Sequence, residues 1–297
     1  MSEPELKRAH LEGVEFAYFE WGTQTPDKPT LFFVHATGFH GRLWDFIIHQ
    51  LPNCHAIAFE QRGHGRSENS SVKHWGTLAQ DQVKFLKHLN IQHMIGIGHS
   101  MGAHGLIEAA GCTVNEKFLY SLLLLDPTVS APENYSDEIF EFPGGLHPAA
   151  KRRAVFHSTE DMIQQISGKS SFPKFHAKIL RDYCEYGLVP TSDGQLTLAC
   201  PAEVEAWVYM TARTNKAIFD HAGQVTIPTT IVRAKDPQPD NMMDFSSSPT
   251  WPGLVNLFAN GVEYHWPDCT HFIPMERPNE VVQLIESHIE AWHENRE

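Results

Sequence analysis

Apolar residues in this chain gather in short unbroken runs, each closing on a polar turn. Such runs stand at 30–38 (TLFFVHATG), 55–63 (HAIAFEQRG), 94–100 (MIGIGHS), 121–128 (SLLLLDPT) and 229–236 (TTIVRAKD), with a more alternating version at 261–271 (GVEYHWPDCTH). A continuous apolar run bounded by turn residues reads as a strand buried on both faces, the mark of a parallel sheet covered by helices. Helical spacing fills the stretches between them: RLWDFIIHQL (42–51), WGTLAQDQVKFLKHL (75–89) and PNEVVQLIESHIEAWHE (278–294), the last with Pro278 placed for a helix start. Strand and helix in alternation predict an α/β fold with a doubly wound, mostly parallel sheet.

The alternation stops between about 131 and 225. EDMIQQISG, FHAKILRDYCEYGL and PAEVEAWVYMTARTNKAIFDHA read there as helices joined by Pro/Gly turns, with no strand among them. The pattern predicts a core of 1–130 and 226–297 with a helical cap, 131–225, inserted into it. A longer outer helical layer is the alternative reading of the same stretch.

Composition narrows the function classes. Hydrophobic residues at 41% and charged residues at 20% of 297 are those of a globular chain, long enough to bury a large core. The formal charge of −13 repels phosphate backbones and anionic lipid, so nucleic acid is not an expected partner. The basic run Lys151-Arg152-Arg153 reads as a solvated helix face. No apolar stretch approaches the ~20 residues a membrane helix needs, and the charged opening MSEPELKRAHLEG has no apolar signal core. Five scattered cysteines without C-x-x-C spacing suit a reducing cytosol, and a cytoplasmic location is the expectation. Nineteen histidines include no close metal-ligand set such as H-E-x-x-H, so neither a metal nor a cofactor is expected.

The chemistry gathers where the predicted strands end, the place where open α/β sheets bind ligands. Gly98-His99-Ser100-Met101-Gly102 fits G-x-S-x-G, a sharp strand-to-helix turn that presents a serine hydroxyl. Asp236 ends TTIVRAKD, and His271 follows EYHWPDCT. A serine hydroxyl needs a base, and the base needs a carboxylate to hold its tautomer. Asp126, which ends LLLLDPT, competes with Asp236 for that carboxylate. Asp126 before a proline reads more simply as a loop-starting residue, so Asp236 is the expected acid. Asp268 reads as a turn former, His99 as packing under the elbow, and Cys269 as a small packed residue.

Taken together, FFVHATGFHGRLW, EQRGHGRSE, GIGHSMGA, LLLLDPT, VRAKD and DCTHFIPMERPNEV resemble the α/β-hydrolase superfamily, in its capped, esterase-like branch. The resemblance covers about two thirds of the chain and leaves the 131–225 segment unassigned. It implies Ser100 as nucleophile, Asp236 as acid and His271 as base, with an oxyanion hole from the backbone N–H groups of Thr37 and Met101. Trp44 matches an aromatic that packs the loop after the first core strand. Two positions depart from the pattern: His35-Ala36 stands for the usual His-Gly, and Glu60 for the Asp that opens the D-x-R-G-x-G-x-S stretch.

A serine in the elbow excludes the aspartyl-ester chemistry of relatives that open epoxides or remove halides. Acyl transfer remains: hydrolysis of a carboxylic ester of a small, largely apolar substrate through an acyl-enzyme. Carbon–carbon hydrolysis of a diketone-type substrate is the runner-up, and a low-turnover ligand-binding scaffold is a reading of a different class. Phe39, Phe272 and Trp207 are the expected pocket walls, with Met101, Phe172, Phe175, Tyr183 and Tyr209 as further candidates.

Overall fold

A computed structural model describes residues 3–70, 72–136, 138–139, 145–238 and 246–295. All six expected runs form strands: β3 (Thr30–Val34), β4 (His55–Phe59), β5 (Met94–His99), β6 (Leu119–Leu125), β10 (Thr229–Arg233) and β11 (Gly261–His265). Ahead of them stands a hairpin absent from the expectation, β1 (Glu5–Leu11) and β2 (Val14–Trp21). Its turn places Glu12 and Gly13 both at positive φ, as tight hairpins require. β1 is an edge strand with mostly exposed side chains, so no apolar run marks it in the sequence.

The sheet order is β1-β2-β4-β3-β5-β6-β10-β11, antiparallel through β4 and parallel from there on. From β3 the chain steps to β4 on one side and then to β5 on the other. The loops leaving β3 and β5 therefore diverge, and the crevice between them is where such a sheet binds ligands.

Helices cover both faces. On one, α2 (Trp75–Leu89), α3 (Met101–Cys112) and α7 (Ile218–Gln224) bury Phe85, Leu106, Ile107, Ile218 and Ala222 against β3 and β6. On the other, α1 (Asp45–Ile48) and α9 (Pro278–Glu294) bury Ile47, Val281, Ile285 and Trp292. Each such Phe, Leu, Ile or Val side chain removed from water stabilises the fold by about 1.5–3 kcal/mol. Trp44 packs as expected, its ring 5.1 Å from Phe33.

The segment after β6 carries α4 (Thr159–Ile166), α5 (Ala177–Tyr186) and α6 (Ala202–Met210), but also three short antiparallel strands, β7 (Val155–Phe156), β8 (Leu188–Pro190) and β9 (Leu196–Leu198). Two or three residues each, they are too short to leave a periodicity in the sequence. The expected helix at the end of this segment also divides in two. α7 packs on α3 so closely that Gly111 leaves no room for a Cβ beside the His221 carbonyl, which puts 218–224 in the outer layer of the sheet. From the rest, Phe156, Met162, Phe175, Ile179 and Tyr183 join Ala36, Phe39, Leu43, Phe272 and Met275, which follow β3 and β11 in the chain, in one apolar cluster, while Val208 of α6 packs with Met101.

Candidate active site

Ser100 stands between β5 and α3 with φ 56° and ψ −116°. A residue with a Cβ at positive φ costs on the order of 1–3 kcal/mol, so its surroundings must impose the conformation. They do so through the backbone: Ser100 N–H donates to the Leu125 carbonyl at 3.0 Å, and the Ser100 carbonyl accepts from the N–H groups of His104 (3.0 Å) and Thr128 (3.2 Å). The flanking glycines give the strand–helix approach its room. A Cβ on Gly98 would lie 2.6 Å from Ala103 Cα, and one on Gly102 would run into the carbonyls of Val34 and His35.

His271 reaches this serine from the loop after β11. Its Nε2 lies 2.9 Å from Ser100 Oγ, and its Nδ1 lies 2.6 Å from Asp126 Oδ2. A carboxylate only accepts, so Nδ1 carries the ring proton and Nε2 is left as the acceptor for the serine hydroxyl. Three further contacts hold the loop: His271 N–H donates to Ser246 O (2.8 Å), Thr270 N–H donates to Glu276 Oε2 (3.1 Å), and the Thr270 hydroxyl bonds the same carboxylate.

The carboxylate beside His271 is thus Asp126, and the expectation of Asp236 is corrected. Asp236 lies past the end of β10 with its side chain 55% exposed, one oxygen on Arg233 and the other 3.6 Å from His265 Nε2. Asp126 is fully buried at the end of β6, the neighbour of the serine's own strand. Its Oδ1 accepts from Ala234 N–H (3.0 Å), the Ser248 hydroxyl (2.5 Å) and the Thr250 hydroxyl (3.2 Å). The end of β10 therefore supplies a backbone donor to the acid rather than the acid itself.

Thr37 and Met101 lie where the crevice opens. Phe39 N–H donates to Ala36 O at 3.2 Å across a turn whose third residue, Gly38, has φ +77°, a conformation that favours glycine. Met101 opens α3, where the first N–H groups have no intrahelical partner. The Thr37 hydroxyl donates to Met101 Sδ at 3.4 Å and ties the two residues together. Neither backbone N–H meets a protein acceptor among the described residues. Beneath them, Gln61 N–H donates to His35 Nε2 (3.1 Å), which leaves Nδ1–H to donate to Ala36 O (2.8 Å). Burial holds the His35 imidazole well below its ordinary pKa, so it stays neutral in this role.

Glu60 also acts on this loop. Fully buried, it accepts from Gly41 N–H (3.0 Å) and Arg66 N–H (2.5 Å), so the longer carboxylate keeps a structural post. His99 proves more than packing. Its Nε2–H donates to the His271 carbonyl at 2.8 Å, and burial holds its pKa well down. Cys269 is buried with its thiol pushed up to about 12, chiefly by burial, which makes it a poor nucleophile.

Aromatic rings gather beside His99 and His271. Phe39 and Phe272 sit 6.0 Å apart by centroid, with Phe272 5.6 Å from His271 and Phe39 6.1 Å from His99. From the inserted segment, Phe175 meets Phe272 (5.4 Å), Tyr183 meets Phe39 (5.2 Å), and Phe172 touches both Phe175 and Tyr183. Trp207 is half-buried on α6, one residue before the Val208 that clusters with Met101. The Tyr209 ring lies tilted against His147, 4.5 Å away by centroid. The basic run is not a free solvated face: Arg152 bonds Glu205 (2.6 Å) and the Tyr183 hydroxyl (2.9 Å), and Arg153 pairs with Asp161. Among the described residues no cluster of three or more metal-ligating side chains occurs, and no helix is long and apolar enough to cross a membrane.

Sequence reasoning passes over Thr128, Ser248 and Thr250, all within hydrogen-bond reach of Ser100 or Asp126. The signal available was the hydroxyl-rich stretch SSSPT at 246–250, which no strand or helix claims.

Comparison with known proteins bears on the family and the fold. Residues 31–284 match the family model described as "Alpha/beta hydrolase family". Monoacylglycerol lipase ABHD6 of Mus musculus is 22% identical, over 97% of this chain and 83% of its own length. Lipase LipV of Mycobacterium tuberculosis is 23% identical, over 86% and 91%. Among solved structures, peroxisomal alpha-beta-hydrolase Lpx1 of Saccharomyces cerevisiae superposes with a TM-score of 0.75 at 16% identity, over 99% of this chain and 90% of that one. E-2-(acetamidomethylene)succinate hydrolase superposes with a TM-score of 0.73 at 18% identity, over 97% and 99%.

Proposed function

We propose that this chain, which belongs to the alpha/beta hydrolase family, is a serine hydrolase that cleaves the carboxylic ester of a small, largely apolar substrate through an acyl-enzyme. The observation that carries the reading is the line Ser100 Oγ to His271 Nε2 (2.9 Å) and His271 Nδ1 to Asp126 Oδ2 (2.6 Å). In it, Ser100 Oγ attacks the ester carbonyl carbon while His271 Nε2 takes the hydroxyl proton. Asp126 steadies the imidazolium that results. The carbonyl oxygen, now an anion, lies on the N–H groups of Thr37 and Met101, each such donor being worth roughly 10²–10³ in rate. Nε2–H then protonates the leaving alkoxide as the C–O bond breaks. A water deprotonated by the same Nε2 attacks the acyl-enzyme, the serine oxygen leaves with that proton, and the acid is released.

The aromatic walls favour an apolar acyl or alcohol group, and the lipase names of the sequence relatives agree with an ester. Residues from about 131 to 217 act as a cap, because their apolar cluster merges with the loops that carry Thr37 and His271. Ser100 is only 5% exposed beneath it.

A panel of p-nitrophenyl esters of increasing acyl length, beside a lactone and a ring-cleavage diketone, tests the reading. Saturable ester turnover with a preferred chain length is expected. Turnover of the diketone alone would replace it with carbon–carbon hydrolysis, and no turnover of any substrate by folded protein would favour a binding scaffold.

A further inference from the structure

Thr128 Oγ1 lies 3.0 Å from Ser100 Oγ, and proton bookkeeping decides which of them donates. The serine has one proton, and it is committed to His271 Nε2, because Nδ1–H is committed to Asp126. The bond between the two hydroxyls therefore runs from Thr128 O–H to the serine oxygen. We infer that Thr128 is a catalytic donor to Ser100 Oγ, stabilising the negative charge that grows there as its proton moves to His271. The inference rests on the reading of Ser100 as the nucleophile.

A second observation is independent of the hydroxyl contact: the fold fixes Thr128 in place from both ends of its backbone. Its N–H donates to the Ser100 carbonyl at 3.2 Å, and its carbonyl accepts from His104 Nδ1–H at 2.9 Å. His104 Nε2 in turn accepts from Asn215 Nδ2 at 3.3 Å, and the same amide nitrogen bonds Glu108. His104, Asn215 and Glu108 are all buried, and burial pushes the imidazole down to about 4, so it stays neutral and keeps this tautomer near pH 7. Pro127 limits φ on the near side. Such a chain locks one half-buried threonine onto the serine, as the support of a reacting group requires.

The chemistry adds no reactant. In acylation the Oγ–H bond breaks, the proton goes to Nε2, and the electron pair forms the bond to the carbonyl carbon. Thr128 keeps its own proton throughout. While Oγ carries partial charge, the Thr128 bond becomes charge-assisted and about twice as strong as a neutral one. In deacylation the same donor meets the departing serine oxygen.

The test measures the second-order rate of Ser100 phosphonylation by a fluorophosphonate, with kcat and KM on the best ester, in Thr128→Val and Thr128→Ser. Valine keeps the shape and removes the donor; serine keeps the donor and removes the methyl. Labelling and kcat should fall roughly ten- to hundredfold in Thr128→Val with KM little changed, the worth of one hydrogen bond to a charged group, and Thr128→Ser should stay near the parent. Parent-like labelling in Thr128→Val overturns the inference while leaving Ser100 as nucleophile. A parent protein unlabelled at Ser100 defeats the underlying reading and this inference with it. If Thr128→Val does not fold, Thr128→Ala against Thr128→Ser gives the same contrast, both lacking the methyl and only one the hydroxyl; equal rates in that pair overturn the inference.

Discussion

His271 bridges over β10 to Asp126: its ring comes from the loop after β11, yet its Nδ1 lies 2.6 Å from a carboxylate at the end of β6. Asp236, at the end of the strand crossed, turns instead to Arg233 and His265. Asp126→Asn is therefore expected to lower kcat on the order of 10⁴-fold, as loss of the tautomer-fixing carboxylate does in comparable sites. Asp236→Asn, which removes an exposed carboxylate and leaves Arg233 paired with Glu263, should leave kcat within a few-fold and stability within about 1 kcal/mol. Steady-state kinetics on both variants decide between them; the opposite ranking would return the acid to Asp236.

The difference between these two aspartates marks how far the sequence is legible. Buried parallel strands leave runs such as LLLLD that need no partner to be recognised, so β3, β4, β5, β6 and β10 are readable from the chain alone with the elbow at Ser100, while the edge strand β11, ahead of His271, is readable from its alternation. Which strand-end carboxylate meets the histidine depends on loop paths between β10 and β11, and on donors 108 to 124 residues away from Asp126. No local pattern encodes those. The β1 strand escapes for the opposite reason: an exposed edge needs no apolar face. Arg152 escapes because a charge run looks the same whether water or a buried Glu205 receives it.

Gly38 is where the loop after β3 tolerates least change. Its φ of +77° strains any side chain, and a Cβ would sit 2.9 Å from Glu205 Oε1. Gly38→Ala should displace the Thr37 N–H and lower kcat by up to roughly a hundred- to a thousandfold, the range set by loss of one oxyanion donor, while KM changes less. Unchanged kcat in a folded variant would separate Thr37 from the chemistry.

The cap should set selectivity without setting the reaction. Phe172, Phe175 and Tyr183 contact one another or the core rings Phe39 and Phe272. Phe175→Ala opens space beside Phe272, so the preferred acyl chain should lengthen. A methylene of fit is worth ~1–3 kcal/mol, which kcat/KM across the ester series will register. A parent-like profile from a folded variant counts against these walls.

Acid stability offers a test remote from the site. His288 on α9 meets Ser121 Oγ (2.8 Å) and Thr230 Oγ1 (3.1 Å), and burial pushes its pKa down to about 4 from 6.5. Between those values the unfolded chain binds a proton that the folded one refuses, so this residue's contribution to stability is lost as pH falls from 6.5 towards 4. The advantage of the parent over His288→Asn should shrink over that window, by at most about 1.4 kcal/mol per pH unit. Denaturant melts of both proteins at pH 7.5 and 4.5 measure it; a constant gap would mean that His288 titrates normally.

The central claim is that Ser100, seated with His271 and Asp126, is the attacking group. Intact-mass and peptide mapping after treatment with a fluorophosphonate test it most directly. The account predicts one adduct per chain, on the peptide carrying Ser100, and none in Ser100→Ala. An adduct on another residue, or a folded protein that takes no label, would contradict it.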